Sequence, residues 1–333
     1  MLKSGQYVLR VMALLALLLA VSLTGARAQG TASWTILFYS TADTSDIEEG
    51  MMLDINEVEY IGSTADVNFV AQVDRTDADS SWTDTRRFLL TQDGDWQVVN
   101  SEMLESLGEV NQGEVDALVD FALWGVEAYP AQHYALIISD HGAGWTGIGW
   151  DMTDNDDQLT MLELDDALTQ ITGKLGRKLD FIGFDACLMA QYEVLKMLSP
   201  YADYAIVAEE TEPAYGWAYD ISLATFVQNP GMSVVELGKQ IVDDYVYSYA
   251  EGEWSQAGYS GFDLNLIDLA QIPGVDTALN AFARAVQVNS SDVLSAIGDA
   301  RNNAQFFGGS TPDEADLQSS IDLIDFLSLL IDF

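Results

Sequence analysis

Short apolar runs, most of them followed by a stretch of helical periodicity, recur along the chain. Residues 34–40 (WTILFYS), 66–73 (DVNFVAQV), 133–140 (HYALIISD), 179–184 (LDFIGF) and 202–208 (ADYAIVA) are near-continuous in Val, Ile, Leu and aromatics. Such runs predict strands of a parallel sheet whose two faces are both covered. Between them, Met51, Met52, Ile55, Val58 and Ile61 recur at three and four spacings and predict a crossover helix over 46–61. Val115, Leu118, Val119, Ala122 and Leu123 do the same over 114–127. Further helices are read over 162–171, 234–249, 278–288, 293–303 and 321–333, and 173–177 reads as a turn. Residues 87–90 and 96–99 flank Asp93-Gly94-Asp95 and predict a hairpin insertion. Residues 260–269 read as one more strand, with an antiparallel placement open. Alternating strand and helix make this an α/β chain without internal repeat.

The ends of two of these strands carry the chemistry. The only cysteine, Cys187, follows the run that ends at Phe184-Asp185, and Leu188, Tyr192 and Leu195 then take up helical spacing. One of only two histidines, His141, follows the 133–140 run and is succeeded by Gly142, Ala143 and Gly144. Open α/β sheets place ligands at the carboxyl ends of their strands. A thiol and an imidazole on neighbouring strand ends are the parts of a thiolate nucleophile and its acid/base partner. The other histidine, His133, opens its strand and reads as a boundary residue.

Charge narrows the partners. The chain has 333 residues with 13 Lys+Arg against 53 Asp+Glu, a formal net charge of -40, and 49% hydrophobic residues. It is a folding sequence whose surface repels nucleic acid and anionic membrane. Cationic peptides and divalent ions are favoured; acidity that merely keeps an exported protein soluble and monomeric explains the same number. Residues 1–28 have the form of a signal peptide: Lys3 and Arg10 ahead of the apolar stretch 11–23, then Ala26-Arg27-Ala28. The expectation is a secreted monomer, residues 29–333, without stable membrane insertion after cleavage. The apolar helix at 321–333 ends without a cap, which reads as a truncated product.

Competing motifs are weaker. Gly142-x-Gly144-x-x-Gly147 matches a dinucleotide fingerprint but leads into an acidic loop instead of a helix. The run Asp151, Asp154, Asp156, Asp157 lacks the EF-hand offsets and reads as a solvated loop. One Cys and two His do not make a usual structural zinc site, no GxSxG elbow occurs, and Asn289-Ser290-Ser291 is a bare glycosylation acceptor.

The segments Ser139-Asp140-His141-Gly142-Ala143-Gly144-Trp145 and Asp180-Phe181-Ile182-Gly183-Phe184-Asp185-Ala186-Cys187-Leu188-Met189 resemble the clostripain-like cysteine peptidases, in the clan of caspases, gingipains, legumains and separase. The 34–40 strand and Glu210-Thr211-Glu212-Pro213 extend the likeness. The resemblance implies a caspase-like αβα sandwich with a mainly parallel sheet, and endopeptidase activity. It implies Cys187 as nucleophile, His141 as catalytic histidine, and the amides of Gly142 and Cys187 as oxyanion donors. It further implies cleavage after Arg or Lys, with Asp185 in the specificity pocket and Glu210 and Glu212 as further wall candidates. No cofactor is required and calcium is permitted. Residues 142–173 hold no Lys or Arg, so self-cleavage in that loop is not expected; the nearest basic residues are Lys174, Arg177 and Lys178. The alternatives are a catalytically silent relative that binds cationic ligands through its acidic surface, and a calcium-binding surface protein.

Overall fold

The computed structural model describes residues 31–76, 81–259, 261–288, 290–308 and 320–331. The signal-like segment and Asn289 lie outside the described residues.

The apolar runs form the interior of an eight-stranded sheet: β1 (Ala32–Ala42), β2 (Val67–Arg75), β3 (Thr85–Leu89), β4 (Met103–Gly108), β5 (Ala131–Ser139), β8 (Leu179–Asp185), β9 (Ala202–Val207) and β10 (Asn265–Asp268). Its order is β10-β9-β8-β5-β1-β2-β3-β4. The five strands from β9 to β2 are parallel, and β3, β4 and β10 are antiparallel edges. The fold is therefore an α/β sandwich with a mainly parallel sheet.

Alternation along β1 shows why both faces need cover. Trp34, Ile36 and Phe38 enter one core layer with α1 (Glu48–Ile61), α5 (Tyr219–Gln228) and α6 (Val234–Ala250). Leu37 and Tyr39 enter the other, with α2 (Val115–Ala128), α3 (Met161–Leu175) and α4 (Tyr192–Leu198). The helices α7 (Ile272–Val288), α8 (Ser290–Asn303) and α9 (Leu323–Ile331), with the short β11 (Phe306–Phe307) and β12 (Ser320–Ile321), close the chain. No helix among the described residues is long and apolar enough to cross a membrane.

Several expectations change. The second hairpin strand is Met103–Gly108, not 96–99. Residues 96–101 instead lie against α1: Trp96 packs on Tyr60 at 4.7 Å, and the Glu59 carboxylate accepts the amides of Asn100 and Ser101. The helix read over 162–171 runs to Leu175, because the left-handed residue that ends it is Gly176 (φ 71) and Gly173 stays helical. A capping box between Thr160 and Glu163 fixes its start. The 151–157 run is a solvated loop only in part: β6 (Ile148–Asp151) and β7 (Asp157–Leu159) form a small hairpin whose turn leaves Asp156 exposed, while Asp151 is fully buried. No helix longer than a three-residue turn opens in the glycine stretch, as the rejection of the dinucleotide reading required.

Candidate active site

β5 and β8 are adjacent parallel strands in register, with Ser139 opposite Asp185. Both chains leave the sheet at the same level, and His141 and Cys187 each follow two residues later. Gly142 permits the closest approach of the two ends: a Cβ there would lie 2.3 Å from the Cys187 carbonyl oxygen and 3.1 Å from its nitrogen. Beyond Cys187, Leu188 adopts φ 63, a left-handed turn that a leucine adopts only under constraint. Its N–H is held by the Glu210 carbonyl at 3.1 Å. The helix expected from Leu188 starts only at Tyr192.

His141 and Cys187 line one cavity of about 170 Å³, together with Asp54, Asp140, Asp185, Glu212 and Gly216. Cys187 is partly buried, and its sulfur accepts the Glu212 N–H at 3.3 Å. Burial pushes the thiol above its ordinary value, so at rest it is protonated. The Nε2 of His141 lies 3.1 Å from Asp46 Oδ1 and 3.4 Å from Thr44 Oγ1. The hydroxyl of Thr44 also binds Asp46 and holds that carboxyl below the usual range, so a negative charge faces the imidazole. Among the described residues, the Gly142 N–H has no hydrogen-bond acceptor, and the Cys187 N–H is directed only to its own sulfur.

The far wall of the cavity is acidic. Asp185 is 6% exposed, and its Oδ2 accepts the Tyr219 hydroxyl at 2.8 Å and the Trp217 N–H at 3.4 Å. Burial pushes its pKa up to about 6. Glu212 accepts the Trp217 indole N–H at 3.2 Å through Oε2, while its buried Oε1 has no partner. Asp54 on α1 is equally buried, and its Oδ1 is also unpartnered. Burial, then the neighbouring Asp185 charge, raises the carboxyls of Asp54 and Glu212 well above the usual range. None of the three forms an ion pair among the described residues.

Of the residues singled out from sequence, the fold brings His141, Gly142, Asp185, Cys187 and Glu212 together. Glu210 turns elsewhere, its Oε1 accepting the amides of Thr211 and Gly308. Sequence reasoning missed Asp54, Asp46 and Thr44. Asp54 had a signal: it falls three residues after Met51 and four before Val58, inside the apolar stripe of its helix. His133 stacks on Trp34 at 4.7 Å and pairs with Asp180, away from the cavity. A larger cleft of about 750 Å³, lined by Leu195, Ile272 and Leu279, holds none of the candidate catalytic residues.

A mainly parallel sheet between helical layers, delivering a histidine and a cysteine from adjacent strands to one cavity, defines the caspase-like class of cysteine peptidase folds. The chain belongs to the clostripain family, a family of cysteine peptidases, whose family model matches residues 38–332. Clostripain of Hathewaya histolytica is 26% identical over 219 residues, which cover 56% of this chain and 40% of that protein. The chain thus spans well under half the length of this curated relative. Two solved structures share the fold. A secreted C11 cysteine protease from Bacteroides thetaiotaomicron, in complex with an irreversible peptide inhibitor, has TM-score 0.62 and 23% identity over 74% of this chain and 69% of that one. An inactive zymogen C11 protease from Parabacteroides distasonis has TM-score 0.62 and 19% identity over 90% of this chain and 77% of that one.

Proposed function

We propose that this protein is an exported cysteine endopeptidase that cleaves peptide bonds after Arg or Lys. The observation that carries the specificity is the convergence of Asp54, Asp185 and Glu212, without a cationic partner among the described residues, on the cavity that also holds Cys187 and His141. A guanidinium or ammonium entering there supplies the donors that Asp54 Oδ1 and Glu212 Oε1 lack and a counter-charge to Asp185. Export rests on the form of residues 1–28 and agrees with the description of one structural neighbour as secreted.

In this reading His141 takes the Cys187 proton, and the thiolate attacks the scissile carbonyl carbon, forming a C–S bond as the carbonyl π pair moves to oxygen. The N–H groups of Gly142 and Cys187 receive that oxyanion. Its collapse breaks the C–N bond, and the imidazolium returns the proton to the leaving amine, with the Asp46 charge facing the ring throughout. Water, deprotonated by His141, attacks the thioester; the C–S bond breaks, the acid leaves and the thiol is regenerated.

The test is turnover of fluorogenic peptides ending in Arg, Lys, Ala or Asp by the purified mature chain, beside a Cys187→Ala control. Cleavage of the basic peptides alone, abolished in the control, is expected. Equal rates for the two proteins exclude the mechanism, and equal rates across the four peptides exclude the specificity.

A further inference from the structure

The loop between β1 and α1 carries Thr44 and Asp46, and both reach the same ring nitrogen of His141. Its Nε2 lies 3.1 Å from Asp46 Oδ1 and 3.4 Å from Thr44 Oγ1. A carboxylate can only accept, so the Thr44 hydroxyl, 2.6 Å from that Asp46 oxygen, gives its one proton there and turns a lone pair toward the imidazole. Both neighbours of Nε2 are therefore acceptors, and only an Nε2–H satisfies them. A neutral imidazole carries one N–H, which leaves Nδ1 with its lone pair. The hydrogen bonds of the His141 ring among the described residues are those of Nε2, and Nδ1 is left free. The supports of this arrangement are themselves fixed. The Gly149 N–H binds the His141 carbonyl at 3.1 Å, and Trp150, next along β6, meets the ring edge-on at 6.3 Å. The turn after β6 holds the other loop: the Met152 N–H donates to the Asp43 carbonyl at 3.1 Å, and the Ser45 N–H reaches the Met152 sulfur at 3.2 Å. One hairpin thus anchors both the imidazole and its two acceptors. Neither Thr44 nor Asp46 lines the cavity that holds Cys187.

We propose that Asp46 and Thr44 are positioning residues that lock His141 in its Nε2–H tautomer, which makes Nδ1 the nitrogen that exchanges the proton with Cys187 and the leaving amine. The proposal rests on the peptidase reading above and assigns roles within it. Nδ1 takes the thiol proton as the C–S bond forms, the ring becomes an imidazolium with both nitrogens as donors, and its Nε2–H points at the Asp46 charge. The Nδ1 proton then passes to the leaving nitrogen as the C–N bond breaks, and the lone pair on Nδ1 is restored. Without the two acceptors the neutral ring divides between tautomers, and molecules with the proton on Nδ1 have no base for the thiol.

The test records long-range 15N–1H spectra of the labelled protein at a pH where its imidazoles are neutral, which distinguish a ring nitrogen bearing hydrogen from a bare one. With only two histidines, His133→Gln assigns the signals. His133, whose Nδ1 faces Asp180 Oδ1 at 2.6 Å, supplies the opposite pattern as reference. His141 should show Nε2–H and a bare Nδ1. Asp46→Ala, an exposed change, and Thr44→Val should each move both His141 nitrogen shifts toward those of an unconstrained imidazole. Each should lower kcat for an Arg peptide roughly tenfold or more while KM stays within about twofold. Thr44→Ser, which keeps the hydroxyl, should keep the wild-type shifts and rate. A proton on Nδ1 in the wild type overturns the assignment, as do nitrogen shifts unmoved in both variants or a loss of activity confined to KM. The spectra need no turnover, so failure of the peptidase reading is seen separately, as equal rates for wild type and Cys187→Ala.

Discussion

Replacing Asp185 by Asn removes a negative charge from the wall of the cavity while keeping its shape. The carboxylate is fixed before substrate arrives, by the Tyr219 hydroxyl at 2.8 Å and the Trp217 amide, so little ordering is needed on binding. With its pKa pushed up to about 6, most molecules carry the charge at pH 7.5. Truncating one partner of a buried, hydrogen-bonded charge pair costs about 2–5 kcal/mol. The lower part of that range applies here, because Glu212 and Asp54 leave other oxygens in the same wall. A loss of about 2–3 kcal/mol corresponds to roughly a 30- to 160-fold fall in kcat/KM. The assay compares two peptides identical except for Arg or its neutral isostere citrulline at the cleaved position, on wild type and Asp185→Asn. The Arg peptide should lose the full factor and the citrulline peptide about threefold or less. An equal loss for both refutes charge recognition, leaving Asp185 as a brace for Tyr219 and Trp217. Asp54→Asn should cost less than Asp185→Asn, because burial, then the Asp185 charge, pushes the Asp54 carboxyl well above its usual range and so favours its neutral form.

Two further outcomes are expected. Gly142→Ala should lower kcat by about a hundredfold or more, since its Cβ would lie 2.3 Å from the Cys187 carbonyl oxygen and push the strand ends apart; an unchanged kcat under saturating substrate contradicts this. Glu57 is buried, accepts the Tyr219 N–H at 2.9 Å, and has its pKa raised to about 9, first by burial and then by Asp220. The folded state therefore keeps a proton that the unfolded chain releases above about pH 4.5, so this group makes stability fall as pH rises toward 9. Glu57→Gln should remove up to about 1.4 kcal/mol per pH unit of that decline, and identical slopes in denaturant titrations from pH 6 to 9 would sink the assignment.

The interior strands were legible because parallel strands covered on both faces carry unbroken apolar runs, and β1, β2, β5, β8 and β9 all do. The edge was not. β4 is largely exposed, so no apolar pattern marks it, and the Asp-Gly turn at 93–95 drew attention to a segment that Glu59 and Tyr60 hold against α1 instead. The exit from β8 was misread because leucine at 188 suits a helix by propensity, whereas the Glu210 carbonyl and the strand-end turn hold it left-handed.

The order of elements, the acidic balance and the thiol and imidazole at successive strand ends follow from local pattern and from the scarcity of Cys and His; these the sequence by itself determines. Which carboxylates share a cavity does not. Asp54 comes from a helix, Asp185 from a strand and Glu212 from a loop. Along the chain each is one acid among 53. Only packing of distant segments removes water from these and leaves the others solvated, and burial beside like charges gives them their chemistry.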